Sequence, residues 1–431
     1  MTERRGIDPA FVVVAAGVSA ALHVGKLPPA IPVLQEALGV TLVEAGFLLS
    51  LVQVAGMAFG IFAGLAADSV GLKRCMLAGL VTLSVAGMAG GFATAALPLL
   101  VLRAVEGFGF LLAVMPAPGL IRRLVARERL NTMLGLWSCY MPLGTALALL
   151  AGPLVMQRTG WPPWWWAIAV ISFGMALWVW RAVPADARAA KASAALAPLT
   201  GSAGSAGSAA SRGTSGTTEQ SPGHWHARLA RTLAARGPWL VALCFAVYSA
   251  QWLSLIGFLP SIYAQAGVAP ASMGVLTALA AAVNMIGNIA AGRLLQRGVR
   301  PQWLLWAGFV AMAAGALAAI GEVGGIGLSP ALRYAGVLLF STLGGMIPAT
   351  LFTLAVRLAP GDDTVSTTVG WVQQWSAIGQ FVGPPLVGWL AARVGGWQWT
   401  WVATGGCALV GMLIAALLAE RKPAGPGRRW G

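Results

Sequence analysis

Charge is scarce in this chain, and acid scarcest of all. Its 431 residues include 28 Lys and Arg, 13 Asp and Glu, 3 His and 4 Cys. So few histidines and acids, spread along the chain, leave little from which to assemble a clustered metal centre. Cys75, Cys139, Cys244 and Cys407 fall within or at the ends of apolar runs with no ligand spacing, so neither a disulfide framework nor a metal knuckle is expected. No nucleophile stands beside a base and no soluble output domain is present. An enzyme, a metal and any other cofactor are therefore not expected. The residues are 58% hydrophobic and 10% charged, more apolar surface than a soluble domain can hide.

What is present is long apolar sequence. Runs of about 18 to 25 residues, each long enough to cross roughly 30 Å of hydrocarbon, fall at 10–34, 45–66, 75–96, 98–121, 133–155 and 164–183 (spans 1 to 6). Six more fall at 238–264, 272–295, 303–320, 331–356, 366–391 and 398–419 (spans 7 to 12). Uninterrupted runs lack the alternation of a barrel strand, so the fold class is all-α, polytopic, with about twelve transmembrane helices. Of the 28 Lys and Arg, Lys26 and Arg103 lie inside spans, and Arg158, Arg333 and Arg393 lie in loops on one side, leaving 23 on the other. That asymmetry predicts cytoplasmic termini and a cytoplasmic central loop in a bacterial inner membrane. It also explains the net charge of +15 without nucleic acid as a partner. The first span follows Arg4 and Arg5 without a small-residue cleavage site and is expected to be a retained helix. Trp161, Trp164, Trp165, Trp166, Trp397, Trp399 and Trp401 read as an interfacial aromatic belt.

Residues 184–236, with the repeat GSAGSAGSAA, separate an N-terminal six-helix half (1–183) from a C-terminal one (237–431) and read as a flexible linker. Near its end, Trp225, Leu229 and Leu233 share one face of a short basic helix expected on the membrane surface. His224 and His226 lack a third ligand and make a weak metal signal. The halves are related by an internal repeat: Pro32, Gly39, Gly46 and Gly64 match Pro260, Gly267, Gly274 and Gly292 at a constant offset of 228. A duplicated six-helix unit is the simplest account.

The turn Gly64-Leu65-Ala66-Ala67-Asp68-Ser69-Val70-Gly71-Leu72-Lys73-Arg74 between spans 2 and 3 has the pattern G-x-x-x-D-x-x-G-x-[KR]-[KR]. It resembles the loop motif of the major facilitator superfamily. A weaker copy runs from Gly292 to Gly298 with Arg293 and Arg297, and Gln296 stands where the repeat would place the acid. Arg103 and Gly107 resemble that superfamily's R-x-x-x-G motif. Pro142, Gly144, Gly152 and Pro153 in span 5, and Gly379, Gly383, Pro384 and Pro385 in span 11, are similar to the Gly-Pro motif of its antiporters. The stretches GKLPPAIPVLQEALGV and SLIGFLPSIYAQAGV resemble the cyanate porter branch, although Lys26 stands where many members carry an arginine. The resemblance implies two parallel halves with a site at their interface near the midplane. It also implies a gate in which Asp68 and Lys73 or Arg74 latch the cytoplasmic ends while the transporter faces outward.

His23, Lys26, Arg103 and Glu106 are the ionisable residues of clear interest within spans, and each is costly in hydrocarbon unless paired or wet. At 1.5 Å per residue, Lys26 and Glu106 fall about 6 Å, and Arg103 about 10 Å, on the outer side of the midplane, so all three can meet in one layer. Adding 228 maps His23 to Gln251 and Lys26 to Ser254, which points to one central cavity. Tyr248, Trp252, Asn284, Asn288, Gln373, Gln374 and Trp375 are candidates for its far wall.

Two cations against one carboxylate make that cavity positive and favour a small anionic or polar solute, with Lys26 and Arg103 as anion contacts. Anion import against an inside-negative potential costs about 2.3 kcal/mol per 100 mV. A proton carried by His23 or Glu106 would remove that cost. The expected protein is a monomeric secondary transporter whose partners are a solute, protons and the bilayer. The alternative is proton-coupled multidrug or metabolite efflux, with Glu106 as the titrating acid.

Overall fold

The computed structural model describes residues 7–60, 71–126, 129, 133, 136–137, 139–185, 224–323, 326–361 and 364–419. Spans 1 to 6 form at Pro9–Leu38, Leu42–Gly60, Leu72–Gly90, Ala96–Leu124, Tyr140–Thr159 and Trp161–Ala182. Spans 7 to 10 form at Arg236–Gln265, Pro270–Gln296, Pro301–Ile320 and Pro330–Arg357, span 11 at Val365–Val394 and span 12 at Thr400–Ala419. Among the described residues, 11 helices are long and apolar enough to cross a membrane. Span 11 has the length, 30 residues, but Gln373, Gln374 and Gln380 interrupt its apolar run.

Local chemistry sets where these helices start and stop. Asp8 caps span 1 by accepting from Ala10 N at 3.0 Å, and Thr41 with Glu44 forms a capping box on span 2. Spans 8, 9 and 10 open on Pro270, Pro301 and Pro330, whose missing N–H costs nothing in a first turn. The duplication is legible in the backbone. Every glycine with positive φ among the described residues has a counterpart at the matching turn: Gly39 with Gly267, Gly71 with Gly298, and Gly160 with Gly395. Gly39 and Gly267, at φ 65° and 72°, preserve the offset of 228, and the left-handed turn they make excludes most other residues.

Packing repeats as well. Span 1 lies against spans 5 and 6, and span 7 against 11 and 12; span 3 lies against 4 and 6, and span 9 against 10 and 12. Across the halves, span 2 meets span 11 and span 5 meets span 8. Spans 1 and 7 are 78% buried over their most apolar windows and span 12 only 28%, so the former are central and the latter peripheral. Each half has its own apolar core, and a third cluster containing Leu27, Ile31, Leu48, Phe258, Val387 and Trp397 joins both halves at the end opposite the chain termini. Phe92, Val85, Trp180 and Leu413 are exposed on the outside, as residues facing lipid would be.

Two features add detail to the expected plan. The basic helix His224–Ala234 forms and touches spans 7 and 11, with Trp239 Nε1 donating to Leu233 O at 2.8 Å, Thr232 buried and the Leu233 side chain exposed. The side chains of His224 and Trp225 lie outside the described set. Between spans 9 and 10, Glu322–Val323 pairs antiparallel with Ile326–Gly327, and Arg333 reaches Glu322 at 3.0 Å.

Candidate functional site

Pro28 and Pro29 lack the N–H groups that would continue the helical ladder, so span 1 breaks just beyond Lys26 and resumes at Ile31. Carbonyls near the break accept from other spans. Arg103 NH1 donates to His23 O at 2.8 Å, and Trp164 Nε1 donates to Lys26 O at 3.1 Å. Span 2 narrows to a turn of 3-10 helix at Leu51–Gln53, and there Arg103 Nε donates to Leu48 O at 3.1 Å. One turn along span 4, Gly107 lies so near Val52 O that an added Cβ would sit 2.8 Å from it. The R-x-x-x-G pattern therefore clamps span 4 onto two successive turns of span 2.

Glu106 gathers the charges. Its Oε1 accepts from Lys26 Nζ and lies 3.3 Å from His23 Nδ1, and its Oε2 accepts from Arg103 NH1 at 2.5 Å. His23 Nε2 shares a hydrogen bond with Ser172 Oγ at 2.8 Å, and Ser172 with Ser19 at 3.1 Å, which carries the network into span 6 and down span 1. Lys26 Nζ also sits 4.9 Å from the centre of the Trp165 ring, where the π face offsets part of its burial. Gly87 of span 3 makes the room: a Cβ there would meet His23 Cε1 at 3.0 Å. His23, Lys26, Arg103 and Glu106 are all 0% or 1% exposed, with a lysine and an arginine around one carboxylate. Removing one partner from such a buried cluster typically costs about 3–5 kcal/mol, because the remaining charge is stranded. Among the described residues, Arg103 NH2 is buried without a hydrogen-bond partner.

The cluster meets in one layer, as the depth estimate requires, but it does not line the central cavity. It lies between spans 1, 3, 4 and 6 inside the first half, closed from solvent. In this conformation helix rotation turns Lys26 and Arg103 toward Glu106, and neither is among the residues that line the cavity. Gln251 and Ser254 are not brought to it either. Both are 1% exposed and bonded within span 7, Gln251 Nε2 to Val247 O at 3.0 Å and Ser254 Oγ to Ala250 O at 2.6 Å. Tyr248 and Asn284 meet at 3.3 Å in the core of the second half, where Asn284 Nδ2 donates to Ser341 O at 3.0 Å and Asn288 Nδ2 donates to Asn284 Oδ1 at 3.0 Å. Trp252 packs against the apolar core of the second half, and Trp375 packs edge-on with Trp239 and Trp371. Gln374 crosses to the first half, donating to Met57 O at 2.7 Å.

The cavity lies elsewhere, between the halves on the side of the termini. It holds about 570 Å³ of empty space, counting its open mouth, between spans 2, 4, 5 and 11. Its polar lining is Gln53, Tyr140, Gln373, Ser376 and Gln380. Gln53 Nε2 donates to Gln380 Oε1 at 3.0 Å across the halves, Gln380 Nε2 to Ser376 Oγ at 3.3 Å, and Ser376 Oγ lies 2.7 Å from Ser249 Oγ. Of these residues only Gln373 was legible as a candidate. Gln53, alone among apolar neighbours in span 2, carried a signal that the search for charges passed over.

The opposite end is closed by backbone contact and by the shared apolar cluster. A Cβ on Gly46 would sit 2.7 Å from Pro385 Cα, and Gly274 of span 8 lies against Leu149 O and Leu150 O of span 5. Of the expected gate, Gly64 and Asp68 lie outside the described residues. Gly71 turns the chain at φ 105°, and Lys73, buried, donates to Trp180 O at 2.8 Å and Val183 O at 2.5 Å at the end of span 6. Arg74, Arg293 and Arg297 are exposed.

Comparison with known proteins agrees with this architecture. The family model described as Major Facilitator Superfamily matches residues 10–377 and 241–430. A bacterial homolog of the human lysosomal transporter Spinster, inward-facing and unoccupied, superposes with a TM-score of 0.77 at 14% identity, covering 98% of this chain and 100% of that one. A D-xylose–proton symporter superposes at 0.70 with 13% identity, covering 98% and 99%. The xylose transporter XylE from E. coli, partially occluded and inward open, superposes at 0.71 with 11% identity, again covering 98% and 99%. No curated protein matches the chain significantly in sequence.

Proposed function

Because the chain belongs to the major facilitator superfamily and is a multi-pass membrane transporter, not an enzyme, we propose that it moves a small polar solute by alternating access. The two halves rock about the cavity between them. The observation that carries this reading is that cavity, which lies on the side of the termini and takes polar groups from both halves, with the other end closed by the cluster of Leu27, Ile31, Phe258 and Trp397. The Lys and Arg asymmetry supports reading the side of the termini as cytoplasmic. One chain supplies both walls, so a monomer suffices.

In this reading the buried cluster couples transport to protons. Protonating Glu106 frees Lys26 and Arg103 from their shared partner and loosens the clamp of span 4 on spans 1 and 2. His23, between Glu106 and the Ser172–Ser19 pair, is the relay. The cations act through the packing of the first half, and the resemblance to the cyanate porter branch does not place a cation in the cavity. Lys73, closing the end of span 6, and Arg74, Arg293 and Arg297, on the same side, act in the gate with Gly64, Asp68 and Gly71.

Purified protein in proteoliposomes should accumulate a solute from a chemically mixed panel when an inward-directed pH gradient is imposed. The Glu106→Gln variant, folded by its thermal transition, should exchange that solute without accumulating it. Accumulation by Glu106→Gln at the wild-type level would overturn the coupling role. Efflux of amphipathic compounds is a second reading, favoured by the apolar wall of Phe110, Leu111, Val114 and Met115. Hypersensitivity of a deletion strain to such compounds, absent for neutral polar ones, would establish it.

A further inference from the structure

We propose that the cavity between the halves selects an uncharged, polyhydroxylated solute, a class that rests on the transport reading above and replaces the anion that the in-span cations first suggested. Among the described residues that line the cavity there is no Asp, Glu, Lys, Arg or His. An ion entering it would shed water without meeting a counter-charge, a penalty of several kcal/mol for a buried unpaired ion. Lys26 and Arg103 give no relief, since both are spent on Glu106 and closed from solvent.

The polar groups that remain are of one kind. The hydrogen-bonded chain from Gln53 through Gln380 to Ser376 orients its amides and leaves Gln53 Oε1 as an open acceptor. The Gln373 amide, exposed in the cavity, and the Tyr140 hydroxyl make no hydrogen bond among the described residues, so each offers both a donor and an acceptor. Mixed donor and acceptor sets match hydroxyl groups, which also give and take. An anion supplies only acceptors, and an ammonium only donors. Gln53 and Tyr140 come from the first half and Gln373 from the second, so one solute with several hydroxyls bonds both halves at once, as a substrate that drives rocking must. Phe110, Leu111 and Val114 supply an apolar wall for the C–H face of such a molecule.

The test uses the full chain purified in detergent and three sets of probes. The first is neutral polyols and monosaccharides (erythritol, xylitol, glucose, inositol), the second small anions (cyanate, nitrate, benzoate), and the third the cation tetraphenylphosphonium. The expected result is that at least one neutral polyol raises the thermal transition by about 2 °C or more at saturation, and that no ion does. Gln373→Leu, with an unchanged transition when solute is absent, should weaken that polyol about tenfold, the factor for one lost hydrogen bond near 1.4 kcal/mol. Tyr140→Phe should do so to a lesser degree. Stabilisation by an anion or by the cation, lost in Gln373→Leu, would overturn the solute class and leave the transporter intact. Stabilisation by a polyol that neither variant weakens would overturn the site. If no probe stabilises the protein and none enters proteoliposomes, the class fails together with the transport reading beneath it.

Discussion

In the first half, the carbonyl of His23 beside the break in span 1 accepts from a guanidinium, which is held by a carboxylate that is held in turn by a lysine. In the second half, the carbonyl of Ser341, one turn before span 10 breaks at Gly345, accepts from the amide of Asn284, backed by Tyr248 and Asn288. Both are backbone carbonyls near a broken helix in an apolar bundle, although the Ser341 carbonyl also accepts from Gly345 N at 3.0 Å. An amide serves the second without charge. A charged triad is more expensive to bury and is matched or exceeded in stability by well-packed neutral groups in many cases. The second half thus holds a broken helix with neutral amides, which motivates the proposal that the charges of the first serve coupling.

Substitutions that break one half at a time test this comparison. Glu106→Ala strands two cations in hydrocarbon-like surroundings and should cost about 3–5 kcal/mol; thermal unfolding of the purified protein measures it. Asn284→Leu should cost less, about 1–3 kcal/mol, since it removes one of two donors to the Ser341 carbonyl and the partner of the Tyr248 hydroxyl. If the Asn284 loss equals or exceeds that of Glu106, the two networks are not the charged and neutral versions of one device. Smaller again is Gln53→Leu, which removes one hydrogen bond between the halves. It should lower stability by about 1 kcal/mol and shift the balance between the two rocking states, read as a changed spin-label distance between Cys substitutions at Glu36 and Ala269, exposed on the two halves at the far end. Arg297→Ala, on an exposed turn, should stay within about 0.5 kcal/mol of wild type.

Much of this was legible in the chain itself. Twelve spans, the duplication and the meeting of Lys26, Arg103 and Glu106 in one layer follow from apolar run length, the 228 offset and a rise of 1.5 Å per residue. Helix rotation was not legible. Which way Arg103 points is set by close contacts such as Gly107 on Val52 O and Gly87 against His23, and these depend on how four helices cross. Neutral amides were legible only in part: Gln373 and Gln374 stood out in span 11, but Gln53 and Gln380 did not. Gln53 and Gln380 sit 327 positions apart and become a site only when spans 2 and 11 meet. The contact of His224–Ala234 with spans 7 and 11 was hidden for the same reason, since it buries Thr232 and leaves Leu233 of the apolar face exposed.

The claim that the charges serve coupling, while an amide network is enough for the fold, is tested most directly by removing them together. The combined variant Lys26→Met, Arg103→Gln, Glu106→Gln rebuilds the cluster in the neutral style of the second half. Reconstituted beside wild type, it should unfold within a few degrees of the wild-type temperature and still exchange solute at equal concentrations across the membrane. Accumulation driven by a pH gradient should be lost. A variant that fails to fold, or one that folds and accumulates solute as wild type does, would contradict the account.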